Sequence, residues 1–313
     1  MAVAMVLGAG LGSTASIGPA AGQAPPPPPP ESTTVTSDGR TLAITPAGRQ
    51  GTEGAFGAAP SSLAPTLGLT ETIGPLALAS AESIIGTDNR TKVSDTTNKP
   101  ARMVALLTLS GNQWCTGFLI AADTVVTSGH CVYNRTSRRF YDAAAMRAYP
   151  AYDSTRANPA PYGVCGVRLL VTTSAWINTG SDEYDYAALK LTCTVGRQTG
   201  WFGWWYQTAS LNGTQSRNHG YAGDRALAQW KTTDAIRVSE PRRLFYANDT
   251  YGGNSGSPIF TKRASGAAQC AGWCVMAVHG YGIYGTTYPT NSLNHGVRVT
   301  REVSDAFFAW RAL

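Results

Sequence analysis

The 313-residue chain is predicted to be all-β, and three observations carry that prediction. Its 34 glycines, 14 tyrosines and 8 tryptophans are spread through short alternating apolar runs, a pattern of strands and turns rather than of packed helices. The stretch Thr116 to Ile120, a turn at Ala121 to Asp123 and the stretch Thr124 to Thr127 read as a hairpin. Helical spacing is found near the C-terminus, where Val303, Phe307 and Trp310 fall at i, i+4 and i+7 within Thr300 to Arg311 and predict a short closing helix. The chain is long enough for one large core or two smaller ones. No apolar run approaches the roughly 18 residues that span a bilayer, so no membrane association is expected.

The N-terminal part has a different composition. Residues 1–24 are small and apolar and end in Ala-Gly-Gln-Ala, which resembles an export-signal cleavage site, although the first basic residue is Arg40. An atypical signal is therefore expected there, and with it a secreted, extracellular product. Pro25 to Pro30 is an unbroken proline run that cannot join a sheet. From there to Glu82 the chain is a Gly/Ala/Pro/Thr mixture of weak periodicity, read as a poorly structured linker and propeptide over 25–82. Charge divides at the same boundary. Residues 1–82 carry two arginines against five acidic residues, a net of −3, which leaves +9 for residues 83–313 out of the total of +6.

A basic body suits an anionic partner. The positive charges are scattered, however, and accompany no nucleic-acid-binding motif, so nucleic acid is not expected as a partner. The six cysteines, 115, 131, 165, 193, 270 and 274, all lie in the body, and an even number behind an export signal suggests three disulfides. Zinc is the competing reading, but Cys270 and Cys274 have no second close pair to complete a four-ligand site. Six cysteines allow 15 connectivities. The hairpin brings Cys115 near Cys131, Cys270 and Cys274 lie across a tight loop, and Cys165 is left with Cys193. No cofactor is expected; calcium stays open, although no Asp-rich ligand loop indicates it.

Three local contexts carry chemistry. Ser128-Gly129-His130-Cys131 ends the hairpin, where a disulfide pins the loop that carries the imidazole, a rigidity that a catalytic base requires. Tyr184-Asp185-Tyr186 leads into Ala187, Leu189 and Leu191 of another strand, so Asp185 is the carboxylate most suited to burial, with Asp182 and Glu183 left in solvated loop. Asp-Thr-Tyr-Gly-Gly-Asn-Ser-Gly-Ser-Pro, Asp249 to Pro258, surrounds Ser255 with residues that leave its hydroxyl unobstructed and let backbone N–H groups converge beside it. Singly these are a packing histidine, a strand cap and a tight turn. Together, in the order His, Asp, Ser, they form the three groups of a nucleophilic triad.

On these residues the chain resembles the bacterial glutamyl endopeptidases, a branch of the chymotrypsin-fold serine proteases. The resemblance runs through Ser-Ile-Ile-Gly-Thr-Asp-Asn-Arg-Thr-Lys-Val at 83–93, Ser-Gly-His-Cys-Val-Tyr at 128–133 and Tyr-Asp-Tyr-Ala-Ala-Leu at 184–189. It continues in Gly-Tyr-Ala-Gly-Asp-Arg at 220–225, the Ser255 stretch, and Met-Ala-Val-His-Gly-Tyr-Gly-Ile-Tyr-Gly at 276–285. It implies two six-stranded antiparallel barrels, about 84–196 and 197–299, with the C-terminal helix at about 300–311 and a catalytic cleft between the barrels. It also implies a monomeric serine endopeptidase in which His130, Asp185 and Ser255 are catalytic and the N–H groups of Gly253 and Ser255 form the oxyanion hole. Polypeptides with Glu at P1 would be the substrates, and the S1 pocket would contain His279 and Thr250. Asn254 stands where most trypsin-like enzymes have Asp, so the usual ion pair with a freed amino terminus is missing. The resemblance directs that terminus toward S1 instead, with activation cleavage between Glu82 and Ser83. Two other readings compete: a protease preferring small apolar P1 residues, and a catalytically silent binding relative. His219 and His295 are expected in Gly-rich loops without a role. Trp201 to Tyr206 is read as packing between the barrels.

Overall fold

The computed structural model describes residues 33–46, 72–76, 83–283 and 289–313. Three short strands come first: β1 (Thr33–Thr36), β2 (Thr41–Ala43) and β3 (Thr91–Lys92). The first barrel follows with β4 (Val104–Leu109), β5 (Asn112–Leu119) and β6 (Thr124–Thr127). After a two-residue hairpin of β7 (Tyr133–Asn134) and β8 (Arg139–Phe140), it is completed by β9 (Met146–Pro150), β10 (Cys165–Thr173) and β11 (Ala187–Leu191). Antiparallel pairing runs β4-β5-β6-β11-β10-β9 and returns to β4, closing a six-stranded ring.

The second barrel is built the same way. After β12 (Gly203–Trp204) come β13 (Gln215–Gly220), β14 (Trp230–Ser239), β15 (Arg243–Tyr246), β16 (Pro258–Arg263), β17 (Gly272–Tyr281) and β18 (Asn294–Arg298). The ring β13-β14-β15-β18-β17-β16 closes on itself. Thr91–Lys92, which the sequence assigns to the first-barrel interval, pairs instead with β14 of the second. Three helices are described: α1 (Ser174–Thr179), α2 (Gly196–Thr199) and α3 (Arg301–Arg311). In α3, Val303, Phe307 and Trp310 are fully buried, as their spacing predicts.

One apolar cluster joins the barrels. Phe202 meets Phe118 of the first barrel edge-on at 5.9 Å and Phe260 of the second at 5.1 Å, and Trp204 packs on Phe307 at 5.5 Å. Within the aromatic run at 201–206, Phe202, Trp204 and Tyr206 pack on this cluster, while Trp201 packs on a first-barrel cluster and Trp205 on a second-barrel one. Such edge-to-face contacts add about 0.5–1.5 kcal/mol each beyond area burial. All three disulfides are formed as expected: Cys115–Cys131, Cys165–Cys193 and Cys270–Cys274.

His219 lies in β13 rather than in a loop, buried against Phe260, with Nδ1 3.0 Å from Gln229 Oε1. Burial holds its imidazole down to about 4, only partly offset by Gln229. The unfolded chain, with an ordinary histidine value near 6.5, takes up the proton first, so falling pH favours unfolding. Stability from this group is present above pH of about 6.5 and lost between there and about 4, amounting to at most about 3 kcal/mol. Urea midpoints at pH 7 and 4 are expected to differ less in His219→Gln than in the parent; equal differences would show that other groups govern the acid response.

Candidate active site

The hairpin sets the position of His130. It occupies a single 3₁₀ turn, Gly129–Cys131, directly after β6, and the turn is fixed by the Cys115–Cys131 disulfide and by Trp114 Nε1 donating to the Cys131 carbonyl at 2.9 Å. Asp185 lies just before β11, and the pairing of Ala187 with Thr127 brings the two strand ends together. Its carboxylate is fully buried. Oδ1 accepts from the His130 backbone N–H at 2.8 Å, and Oδ2 lies 2.6 Å from His130 Nδ1. An ionised carboxylate only accepts, so Nδ1 carries the proton and Nε2 is the nitrogen able to take one. A Cβ on Gly129 would stand 2.8 Å from both Asp185 Oδ1 and the Trp176 ring, so the close approach requires glycine.

Ser255 lies in the loop between β15 and β16 and is pressed against the first barrel. Thr116 N–H donates to the Ser255 carbonyl at 2.9 Å, and Thr116 Oγ1 donates to the Gly253 carbonyl at 2.8 Å. Cys131 Sγ is 3.9 Å from the same Ser255 carbonyl, which places the loop beside the His130 turn. On the other side Gly256 N–H donates to the His279 carbonyl at 2.7 Å, and His279 N–H donates to the Ser257 carbonyl at 2.9 Å. The loop is thus held between the two barrels. Gly253 (φ +101°) and Gly256 (φ +84°) have left-handed conformations that other residues rarely adopt. The Gly253 N–H donates to no protein acceptor among the described residues.

A second group of polar side chains lies beside the loop. His279, fully buried on β17, has Nδ1 2.7 Å from the Tyr246 hydroxyl. The Thr250 hydroxyl is buried and has no hydrogen-bond partner among the described residues. Thr250 N–H donates to the Ser83 carbonyl at 3.2 Å, and that carbonyl also accepts from Asn294 Nδ2 at 2.7 Å. The buried Asp249 carboxylate accepts from the N–H groups of Ile85 at 2.7 Å and Asn89 at 2.9 Å. Ser83 therefore lies against Thr250, while Glu82 is outside the described residues.

Several of these contributors were not singled out by sequence. Asp249, Thr116, Asn294, Tyr246 and Ser128, whose Oγ donates to the His279 carbonyl at 2.8 Å, act through backbone groups or along a strand face, and motif spacing gives no signal for either. His295 is in β18, not a loop, stacked on Tyr281 and Phe245 at 5.2 and 5.0 Å. Its Nε2 lies 3.3 Å from Asp182 Oδ2, so Asp182 is engaged rather than simply solvated. The His295 contact holds the Asp182 carboxyl below its ordinary value against the opposing effect of burial.

Residues 115–266 match the family of trypsin-like peptidase domains. Over 233 residues the chain is 40% identical to the glutamyl endopeptidase of Bacillus licheniformis, spanning 74% of this chain and 70% of that protein. The chain belongs to the glutamyl endopeptidase family of chymotrypsin-fold serine peptidases. A solved Glu endopeptidase in complex with MPD superposes with a TM-score of 0.63 at 28% identity, covering 74% of this chain and 100% of that one. A Bacillus subtilis relative, 34% identical over 237 residues (73% of this chain, 69% of that protein), bears the name extracellular metalloprotease. Here the one close group of potential ligands among the described residues is Cys115, His130 and Cys131, and its two sulfurs are joined in a disulfide and unavailable as thiolates. The family assignment makes this chain a serine endopeptidase.

A Cβ at position 256 would lie 2.0 Å from Thr127 Oγ1 and 2.3 Å from the Thr116 carbonyl. Backbone cannot yield cheaply there, so Gly256→Ala is expected to lose on the order of 3 kcal/mol of stability along with activity. Thermal unfolding of the purified variant at the parent temperature would overturn this.

Proposed function

We propose that the protein is a secreted glutamyl endopeptidase, made as a zymogen in which residues 25–82 are the prosegment and 83–313 the catalytic domain. His130, Asp185 and Ser255 are its triad. The observation that carries this reading is the buried Asp185 carboxylate bound to both the N–H and Nδ1 of His130, in a turn whose Cys131 Sγ lies 3.9 Å from the Ser255 carbonyl. Ser255 Oγ attacks the scissile carbonyl carbon as its proton passes to His130 Nε2. The carbonyl oxygen becomes an oxyanion at the Gly253 and Ser255 N–H groups, each such donor being worth about 3 kcal/mol. Collapse expels the amine, which takes the proton from Nε2, and leaves an acyl ester on Ser255. Water, deprotonated by the same nitrogen, then attacks the ester and releases the acid.

The Glu preference is supported by two donors. With the Tyr246 hydroxyl donating to His279 Nδ1, Nε2 is the ring nitrogen left to act as a donor suited to a carboxylate. The Thr250 hydroxyl, buried and unpartnered among the described residues, is the second. A small apolar P1 residue would leave the buried Thr250 hydroxyl unsatisfied, a cost of about 1–3 kcal/mol. Ser83, already in contact with Thr250, supports the arrival of the freed amino terminus at this pocket, where positive charge favours an anionic side chain. The small-residue end of 1–24 and the word extracellular in the name of a relative support secretion.

Ser255→Ala is expected to lower peptide turnover about a millionfold with the fold intact. Digestion of an unfolded protein, mapped by mass spectrometry, should give cuts after Glu and far fewer after Asp, with Thr250→Val eroding the preference. Cuts mainly after Lys, Arg or large apolar residues would overturn the specificity. For activation, Ser255→Ala and Glu82→Gln are each expected to accumulate as uncut precursor in a host without other Glu-cutting proteases. A normal Ser83 terminus in the Ser255→Ala protein would rule out self-processing.

A further inference from the structure

The first barrel closes, but not along its whole length. β9 pairs with β10 only at Cys165 and Gly166, while β11 covers the other side of β10 as far as Thr172. The end of β10, Leu170–Thr173, is left with one open edge. β1 fills it, antiparallel, with Thr34 opposite Thr173, Val35 opposite Thr172 and Thr36 opposite Val171. Beyond the ladder, Ser37 N–H donates to the Leu170 carbonyl at 2.9 Å, Leu170 N–H to Ser37 Oγ at 3.0 Å, and Thr33 N–H to Ser174 Oγ at 3.0 Å. Thr34 and Thr36 are only 1% exposed, and Thr34 Oγ1 accepts from the buried Trp310 Nε1 of α3 at 3.0 Å. β2 then folds back on β1 as its own partner.

We propose that the open edge of β10, with Ser174 and Trp310, is a strand-docking site, and that its occupant, the segment 33–43 of this chain, stays bound after the chain is cut between it and the catalytic domain. The segment would then be a non-covalent strand of the processed enzyme. The chemistry is that of strand addition: main-chain bonds supply the attachment and alternate side chains supply the fit. Without the strand, Trp310 Nε1 loses its acceptor and the edge of β10 is bare, the situation that sheet proteins guard against. The site is also close to the triad. Thr173, opposite Thr34, caps α1 by accepting from Trp176 N–H at 3.2 Å, and Trp176 packs on Gly129, next to His130. The docked strand thereby supports the elements that position the catalytic histidine.

The proposal rests on the zymogen reading only in that the chain is cut, and the test removes even that dependence. A recognition sequence for an unrelated, site-specific protease is placed between residues 50 and 70 of the full chain carrying Ser255→Ala. After cutting, native size exclusion and intact-mass spectrometry follow the N-terminal fragment. It should co-elute with the body at about one copy each, held by strand addition. The N–H groups of Thr33 and Ser37 both face β10, so by the two-residue repeat Val35 N–H does too, and Val35→Pro removes that donor. Release from the Val35→Pro protein is expected to be at least about tenfold faster, and Thr34→Val, which deletes the acceptor for Trp310, should also speed it. A fragment that elutes apart from a folded parent body would overturn the proposal, and so would a Val35→Pro fragment retained as firmly as the parent. Neither result depends on P1 preference or self-processing, which the cleavage map tests separately.

Discussion

Thr116 is the point on which the two barrels are registered. Its side chain and backbone are fully buried, and every polar atom is engaged. The N–H donates to the Ser255 carbonyl, Oγ1 donates to the Gly253 carbonyl and accepts from Tyr221 N–H at 3.0 Å, and the carbonyl accepts from Thr127 Oγ1 at 2.8 Å. One first-barrel residue thus holds the loop that carries Ser255, while the next strand, through Thr127, runs directly to His130. Buried bonds of this kind contribute only about 1 kcal/mol each net, but leaving one unmade costs more, which is why they specify a single register. Gly256 is the necessary counterpart, because any Cβ there would enter the space that Thr127 and the Thr116 carbonyl fill.

The N-terminal segment of the catalytic domain is tied to the second barrel by charge. The Arg90 guanidinium, 2% exposed, forks onto Asp224 at 2.8 and 2.6 Å and also bonds Asp88. Asp249 holds the N–H groups of Ile85 and Asn89. With these contacts in place while the chain is continuous, Ser83 already touches Thr250 and Asn294. Under the proposed activation, a cut before Ser83 would add a charge to a segment that is already seated against Thr250 and Asn294.

What the sequence revealed and what it withheld follow from the range of the forces involved. Local chemistry was legible: the hairpin that brings Cys115 to Cys131, the i, i+4, i+7 spacing of α3, and the order of His130, Asp185 and Ser255. The stretches 83–93 and 220–225 were visible as motifs, but that Arg90 meets Asp224, and Arg225 meets Asp88, needed the fold to bring them together. Tyr246 and Asn294 were silent because each lies in an ordinary strand, and their partners His279 and Ser83 are on neighbouring elements. His219 and His295 were misjudged as loop residues since nearby glycines suggested turns, whereas both lie in strands of a closed barrel.

The loop that carries Asp185 shows why a two-barrel design suits this chemistry. Asp185 belongs to the first barrel, yet its neighbours are gripped by the second barrel and the C-terminal helix: His295 bonds Asp182, the Arg242 guanidinium lies 4.6 Å over the Tyr184 ring, and Tyr186 packs on Trp310 and Phe307 of α3. Tyr281, stacked on His295, lies 5.9 Å from the His130 ring. Each barrel alone would leave part of this arrangement unsupported, and the proposed proton transfer would require the imidazole, the carboxylate and the serine loop to be held to a fraction of an ångström. That precision arises where the two rings interlock, so side chains such as Thr116 and His295 support the site without a motif to mark them.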